Sequence, residues 1–397
     1  MGFWSSYICF FLAALIGCLA VTPLAKRIAV AVDAVDYPSK RRVNRTPIPR
    51  MGGIAIFAGI VCTFLVRVIG KQLDIWPMAL DPSPRLHIDY PLLSLAFLIV
   101  FITGIIDDVR SLSPKKKLIG QTVGACIAVA SGLVIGVIDN PFAPGFIELG
   151  WVAYPITVIY LIAYMNIINL IDGLDGLAAG ISFFASATMF VLSIWAGRED
   201  AAILSIAVAG STLGFLRYNF NPASIFMGDS GSLTLGFALG SISLLSVTRI
   251  SGLTTIIVPL VIAGIPIIDT FSAIVRRGRA HVSIGQADKG HIHHRLMDEG
   301  FNQRQTVIFI YLWTGLLSIG SIVMTQVSVM PRIVIFCVLI IASVLFAVRL
   351  HLFRPVLLHH YNPETGTDEL VAPQDEAFEE AAEQFEEEHP LFPHTGE

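Results

Sequence analysis

Four polar side chains recur at every third position in the stretch NIINLIDGLDGLAAG, which otherwise consists of apolar residues and glycine. They are Asn166, Asn169, Asp172 and Asp175. On a helix this spacing places the first three on one slowly drifting face and the last near the helix end. Such side chains hold a metal ion, hold a polar substrate, or lie outside the apolar phase. A capped helix end followed by a tight turn explains one aspartate, but not four polar residues in register with Gly173 and Gly176.

A second cluster joins two adjacent carboxylates to a run of lysines in GIIDDVRSLSPKKKLIGQ. Asp107 and Asp108 end one apolar stretch, and Lys115 to Lys117 open the next. Neighbouring carboxylates repel each other unless a cation or a proton lies between them. The alternative is an ordinary interfacial loop in which a lysine snorkels towards water.

A third cluster contains Asp229, in the Gly-Asp-Ser-Gly turn of RYNFNPASIFMGDSGSLTLG. The turn comes just before another apolar stretch, so the carboxylate lies beside backbone N–H groups that lack intrahelical partners. We expect those donors to be available to a phosphate and the carboxylate to be available to a metal ion. As a helix N-cap alone, the turn would be ordinary.

The fourth cluster is the polar segment RRGRAHVSIGQADKGHIHHRLMDEG, which holds four of the ten histidines. These are His281, His291, His293 and His294. A zinc site normally needs three or four Cys or His ligands, and no cysteine is near, so histidine and arginine facing a diphosphate is the better interpretation. One further acid, Asp269, falls inside an apolar stretch, and we expect it to pair with Arg276 or Arg277.

Composition places these clusters in a membrane protein. Of the 397 residues, 54% are hydrophobic and 14% are charged, with a mean hydropathy of +0.72. A membrane span needs about 20 apolar residues. We predict an all-α, polytopic protein with about 11 transmembrane helices. They lie near 3–22, 52–70, 91–106, 118–138, 151–171, 177–196, 201–216, 231–247, 254–275, 306–326 and 332–350.

Charge orients the chain and separates its tail. If 23–51 is cytoplasmic, that face carries 20 of the 26 lysines and arginines, which predicts an external N-terminus and a cytoplasmic C-terminus. Residues 362–397 contain twelve Asp or Glu residues and no Lys or Arg. We therefore predict a membrane domain at 1–350 and a disordered acidic tail at 351–397, with a short amphipathic helix or a partner-binding role as alternatives. The basic loops suit the lipid bilayer and anionic substrates, and nothing indicates nucleic acid.

The four clusters all fall on the predicted cytoplasmic face. Carboxylates, lysines and a glycine turn describe Mg²⁺-dependent handling of a phosphate, because Mg²⁺ takes one or two carboxylates together with water and substrate oxygens. Phosphoryl transfer needs charge neutralisation and an aligned nucleophile more than covalent chemistry. A membrane rim suits one water-soluble substrate and one lipid-borne substrate.

Four ordered motifs also carry a resemblance. DDVRSLSPKKK, NIINLIDGLDGL, FMGDSGSL and DKGHIHHRL look like those of the polyprenyl-phosphate N-acetylhexosamine-1-phosphate transferases, and PRMGGI at 49–54 fits the same family. The resemblance covers roughly 1–350 and leaves the tail without a counterpart. It implies that a polyprenyl phosphate, undecaprenyl or decaprenyl, attacks the β-phosphate of a UDP-N-acetylamino sugar and releases UMP.

The resemblance also implies residue roles. Asp229 would bind Mg²⁺, for which Mn²⁺ could substitute. The catalytic candidates are Asp107, Asp108, Asp172 and Asp175. The substrate-binding candidates are Lys117, Asn169, Asn219, Phe226, His291, His293 and His294. The first acidic pair and Lys117 would serve the lipid phosphate, Asn169, Asp172 and Asp175 would line the nucleotide-sugar site, and Asn219 and Phe226 would contact uridine. An aspartate could attack covalently or accept the lipid's proton.

The pattern His-Ile-His-His-Arg looks like the UDP-GlcNAc branch, whereas the branch that loads phospho-MurNAc-pentapeptide carries three consecutive histidines after a proline. UDP-GalNAc and UDP-MurNAc-pentapeptide stay open as donors. A transporter of lipid-linked sugars is the rival class, but it predicts ionisable residues deep within several spans. The resemblance places the protein in a bacterial plasma membrane with its active site on the cytoplasmic face, and it leaves a homodimer open.

Overall fold

A computed structural model of the chain describes residues 2–37, 46–77, 88–139, 146–246, 264–279, 290–352, 358–362 and 367–371. Within these ranges the protein is mostly helical. The α-helices are α1 (Phe3–Ala31), α2 (Gly53–Gln72), α3 (Tyr90–Arg110), α4 (Pro114–Ala130), α5 (Ala153–Ile171), α6 (Leu177–Trp195), α7 (Glu199–Asn219), α8 (Gly228–Ser246), α9 (Gly264–Arg279), α10 (Ile292–Asp298), α11 (Gln303–Gln326) and α12 (Val329–Arg349).

The strands of the described residues form three short antiparallel pairs. They are β1 (Val35–Asp36) with β2 (Ile48–Pro49), β3 (Val137–Asp139) with β4 (Phe146–Glu148), and β5 (Leu358–Asn362) with β6 (Thr367–Val371). The last pair lies in the segment that we expected to lack regular structure. Residues 372–397 lie outside the described part, so the prediction for the rest of the tail stays a prediction.

Eight of the described helices are long and apolar enough to cross a membrane. The spans are Phe3–Ala31, Gly53–Gln72, Tyr90–Arg110, Gly150–Ile171, Leu177–Trp195, Glu199–Asn219, Gln303–Gln326 and Met330–Arg349. The polytopic membrane class is therefore confirmed. The described residues do not confirm the count of eleven, because α4 has only 17 residues, α8 is less apolar than the eight spans, and much of 254–275 lies outside the described part.

The low hydropathy of α8 is explained by its burial within the protein. Every residue from Ser230 to Leu245 is buried, so the helix has no face that must be apolar for lipid. Its small residues instead let other helices approach closely. A Cβ at Gly236, for example, would lie 2.6 Å from the Cα of Met165 in α5. Helices α3 and α5 both pack along α8, which makes α8 a central helix of its unit.

The chain divides into two compact units. The first comprises Met1–Pro266 and Gln303–Leu339, and the second comprises Ile267–Asn302 and Ile340–Glu397. In the first unit α1 packs against α2 and α7, α4 against α3, and α11 against α6. Outward faces carry exposed aliphatic side chains such as Leu312, Ile319 and Ile159, as lipid-facing surfaces do.

Candidate active site

The N-terminus of α8 is held by a carboxylate from another helix. Asp108, near the end of α3, is 1% exposed. Its Oδ1 accepts the backbone N–H of Asp229 at 2.7 Å, and its Oδ2 accepts the N–H of Ser230 at 3.1 Å. We expected these N–H groups to be available to a phosphate. They are not, because the Asp108 carboxylate already occupies them.

Glycines make this arrangement possible. Gly228 has a φ of +71°, which a residue with a side chain rarely adopts, and a Cβ there would lie 2.5 Å from Oδ1 of Asp108. A Cβ at Gly104 of α3 would lie 2.6 Å from the carbonyl oxygen of Asp229. A Cβ at Gly53 of α2 would collide with the backbone of Ser230. The first turn of α8 is thus enclosed by α2 and α3.

Lys117 joins the two acidic clusters that the sequence keeps far apart. Its ammonium forms ion pairs with Asp229 and, at 3.1 Å, with Asp107. It also donates to Oδ1 of Asn169 at 3.1 Å. Lys115 and Lys116, beside it in the sequence, are exposed. Only one lysine of the triplet therefore enters the network, which the sequence alone could not identify.

Asn169 completes the network from α5. Its Nδ2 donates to Oδ1 of Asp229 at 2.5 Å and to Oγ of Ser232 at 2.8 Å. Asp107 is oriented separately, because its Oδ1 accepts the backbone N–H of Leu112 at 2.6 Å. The predicted residues Asp107, Lys117, Asn169 and Asp229 thus meet in one cluster, although four different helices contribute them.

Asn166, by contrast, lies outside this cluster. Its Nδ2 donates to Oε1 of Gln121 at 2.8 Å and to the carbonyl of Ile162. Gln121 is on α4 and is 1% exposed. A buried pair of carboxamides therefore joins α4 to α5, and this explains the first polar residue of the repeating pattern without a ligand.

The turn between α5 and α6 is tied to two other elements at Gly176, whose φ is +79°. Asn219, at the end of α7, accepts the N–H of Gly176 at 3.1 Å and donates to the carbonyl of Ile225 at 2.9 Å. The Tyr311 hydroxyl of α11 donates to the carbonyl of Gly176 at 2.5 Å. Asn219 is 3% exposed. Its carboxamide thus serves the protein's own backbone, which adds a positioning role to the uridine contact that the resemblance implies.

Asp175 is bound in a similar way. Its Oδ2 accepts from Nδ2 of Asn221 and from the backbone N–H of Ala223, both at 2.9 Å. Asn221 also donates to Gln303 at the start of α11. Asp175 therefore holds the loop after α7 against the turn that contains it.

Asp172 is the second carboxyl of this turn. Burial raises the pKa of Asp172 to about 8, and the carboxylates of Asp229 and Asp108 add to the shift. Among the described residues, neither Asp172 oxygen accepts a hydrogen bond. Such a carboxyl ionises readily only when a positive charge approaches it.

The histidines belong to the second unit. Nδ1 of His291 donates to Oδ2 of Asp269 at 2.9 Å, and the backbone N–H of Ile292 donates to Oδ1 at 2.8 Å. We expected Asp269 to pair with Arg276 or Arg277. Instead its two oxygens are occupied by His291 and by the backbone N–H of Ile292, at the start of α10. His281 lies outside the described residues.

His293 and His294 differ in their surroundings. His293 is 4% exposed and its ring stacks parallel to that of His291 at 5.8 Å, whereas His294 is partly exposed. Burial lowers the pKa of His293 to about 3, so its imidazole is neutral. His294 is therefore the more accessible of the two to a ligand.

Comparison with known proteins decides the family. The model of the family described as Glycosyl transferase family 4 matches residues 90–247, which run from the start of α3 to the end of α8. A probable undecaprenyl-phosphate N-acetylglucosaminyl 1-phosphate transferase of Bacillus subtilis (strain 168) is 41% identical over 331 residues, which are 83% of this chain and 88% of the relative. The chain belongs to Glycosyl transferase family 4.

Two other relatives of this family 4 chain are named for different sugars, one for N-acetylglucosamine and one for N-acetylmuramoyl-pentapeptide. A decaprenyl-phosphate N-acetylglucosaminephosphotransferase of Mycolicibacterium smegmatis is 34% identical, covering 74% of this chain and 76% of the relative. A phospho-N-acetylmuramoyl-pentapeptide-transferase of Halalkalibacterium halodurans is 30% identical, covering 74% and 88%. The matched range 90–247 contains Asp107, Lys117, Asn169 and Asp229.

The donors of the family 4 chain fit a hard divalent cation. In the described residues, no group of three His, Cys, Asp or Glu side chains forms a ready-made metal cage. Mg²⁺ does not need one, since one or two carboxylates with water and substrate oxygens suffice. Oδ2 of Asp229 accepts no hydrogen bond from the described residues, and that side chain is 26% exposed. The carboxylate of Asp229 and that of Asp172, whose pKa is raised, are therefore two groups that a bound cation would stabilise.

One segment of the family 4 chain matters more than the sequence suggested. Residues 49–53 run beside the turn before α8, where the N–H of Phe226 donates to Pro49 and the N–H of Gly52 donates to Phe226. The N–H of Gly53 donates to Met227. The paired glycines in PRMGGI were the available signal for such a close approach. Phe226 is thus held by backbone pairing, with its ring partly exposed.

Proposed function

We propose that this chain transfers N-acetylglucosamine-1-phosphate from UDP-GlcNAc to a polyprenyl phosphate and releases UMP. An oxygen of the lipid phosphate forms a new bond to the β-phosphorus, and the bond from that phosphorus to the oxygen of the leaving UMP breaks. The cluster of Lys117, Asn169 and Asp229 is the observation that carries this proposal. The Bacillus and Mycolicibacterium relatives, which are named for N-acetylglucosamine transfer, support the choice of sugar.

Lys117 has the central electrostatic role. Its ammonium lies between Asp107 and Asp229, so it offsets negative charge that would repel two incoming phosphates. Lys115 and Lys116 precede Lys117 in the sequence and are exposed, so in this proposal they attract the lipid phosphate at the membrane rim.

Asp229 and Asp172 would hold Mg²⁺ in this proposal. When bound, the ion neutralises charge on the diphosphate oxygens. Asn169 keeps the Asp229 carboxylate in place through its amide, and Lys117 of α4 donates to the same oxygen. The carboxylate oxygen that accepts neither bond is left for the ion.

The nucleotide side is formed by Asn169, Asp172, Asp175, Asn219 and Phe226. From the family resemblance we also take His291, His293 and His294 as residues that bind substrate. Asp175 and Asn219 act through the loops they fix. The partly exposed ring of Phe226 offers an apolar surface to a base. We place this face in the cytoplasm of a bacterial cell, because most lysines and arginines of the chain fall on that side of the predicted topology.

The test uses membranes that contain the full chain. They are incubated with Mg²⁺, a polyprenyl phosphate and a panel of labelled donors: UDP-GlcNAc, UDP-GalNAc and UDP-MurNAc-pentapeptide. We expect a lipid-linked GlcNAc diphosphate from the first donor, with one UMP released for each lipid formed. Product from another donor in preference to UDP-GlcNAc would overturn the sugar assignment. Membranes with Asp229→Asn provide the background.

A further inference from the structure

Asp108 and Asp107 are neighbours in the sequence, yet their carboxylates have different environments. Asp107 contacts Lys117. Asp108 is 1% exposed and accepts through its two oxygens the N–H groups of Asp229 and Ser230 in the first turn of α8. A group that exchanges a proton with substrate must reach it. The buried and doubly bonded Asp108 does not reach outwards from this position.

The contact of Asp108 is with the backbone of Asp229 itself. The N–H that Oδ1 accepts belongs to the same residue whose side chain meets Lys117 and Asn169. The position of that backbone therefore sets where the Asp229 carboxylate lies. Gly228 supports the contact from the other side, because only a residue without a Cβ leaves room for the Asp108 carboxylate.

We propose that Asp108 is a positioning residue, which caps α8 from α3 and thereby fixes the Asp229 carboxylate for its cation. This inference rests on the proposed function, in which Asp229 holds Mg²⁺. The family resemblance makes Asp108 a catalytic candidate together with Asp107. The present inference instead gives Asp108 an indirect role, through the backbone of Asp229.

Three variants of the full chain test this. Asp108→Asn keeps one oxygen for Asp229 but turns an N–H₂ towards the N–H of Ser230. Asp108→Ala removes both acceptors, and Gly228→Ala disturbs the same contact from the helix side. Asp89→Asn is the matched control, because Asp89 caps α3 in the same chemical way, accepting from the N–H of Leu92 at 3.0 Å.

Two readouts are taken on each purified protein. Hydrogen exchange of the 228–235 segment reports the cap, and electron paramagnetic resonance of added Mn²⁺ reports cation affinity. We expect faster exchange in all three test variants, and Mn²⁺ affinity lower by about tenfold in Asp108→Asn and more in Asp108→Ala, as when a residue that orients a metal ligand is lost. Asp89→Asn should change neither the hydrogen exchange of the 228–235 segment nor the affinity for Mn²⁺.

The outcomes are separable. If exchange at 228–235 and Mn²⁺ affinity both match the wild type in Asp108→Asn and Asp108→Ala, Asp108 does not position Asp229. If exchange rises but Mn²⁺ affinity does not fall, Asp108 is only a cap, and the inference is likewise overturned. If the wild type itself binds no Mn²⁺, the metal role in the proposed function fails, and with it the purpose that we assign to the cap.

Discussion

The His291 imidazole donates from Nδ1 to the buried carboxylate of Asp269 at 2.9 Å. A carboxylate can only accept, so this bond assigns the proton to Nδ1 and leaves Nε2 as the ring atom for another partner. The bond from Ile292 keeps the carboxylate from rotating. Asp269 therefore holds His291 in one tautomer and one orientation.

Asp269→Asn should weaken nucleotide binding by about tenfold, because the carboxamide no longer enforces that tautomer. Calorimetry with UMP on the purified variant measures the effect. Ser272→Ala is a suitable control, since the Ser272 hydroxyl donates to the backbone carbonyl of Asp269 at 2.9 Å and does not touch the carboxylate. Wild-type UMP affinity in Asp269→Asn would contradict a nucleotide role for His291.

His293 should make stability depend on pH. Its pKa falls from about 6.5 in an unfolded chain to about 3 on burial, so below pH 6.5 the unfolded state binds a proton that the folded state does not. The free energy of unfolding should therefore fall by up to about 1.4 kcal/mol for each pH unit below 6.5. His293→Gln should flatten the fall in thermal midpoint between pH 7 and pH 5. His294→Ala should instead weaken UMP binding with little change in that profile, and the opposite pair of results would reverse these roles.

Asp229→Asn should lower turnover by about a thousandfold while leaving the protein folded, because the metal stabilises several kcal/mol of developing charge. Radiolabel transfer to lipid measures turnover, and the thermal midpoint checks the fold. Excess chelator should inhibit the wild type, and Mg²⁺ or Mn²⁺ should restore it. Full wild-type activity in excess chelator would remove the metal from the mechanism.

Asn219→Ala should cost about 1–3 kcal/mol of stability, since it leaves the N–H of Gly176 and the carbonyl of Ile225 without their partner. Thermal unfolding in detergent, followed alongside KM for UDP-GlcNAc, measures the change. A raised KM with an unchanged thermal midpoint would show instead that Asn219 acts by contacting substrate alone.

Lys116→Cys, in a variant without the five native cysteines, should react with a membrane-impermeant maleimide only after the cells are opened. Lys116 is exposed and lies on the predicted cytoplasmic face. Ser328→Cys, exposed between α11 and α12 on the predicted outer face, is the matched control and should react in intact cells. Reaction of Lys116→Cys in intact cells would invert the topology and the side of the active site.

The membrane class and the residue types of the site could be predicted from the amino-acid sequence. Long apolar stretches predict spans because lipid demands an apolar surface, and eight such helices are present in the described residues. The rule weakens at α8, which is surrounded by protein and needs small residues more than apolar ones. The four ordered motifs predicted the family, and the comparisons confirm it.

Which member of each polar group enters the cluster depends on how the helices pack. Successive residues on a helix point about 100° apart, so Asp107 and Asp108 cannot share a direction, and the same holds for the three lysines of α4. The directions that matter are set by packing between helices far apart in the chain, as in the ion pair of Lys117 with Asp229. Local spacing carries no information on that register. This is why Lys117 was identifiable only through the resemblance, and why the cap that Asp108 forms on α8 was not identifiable at all.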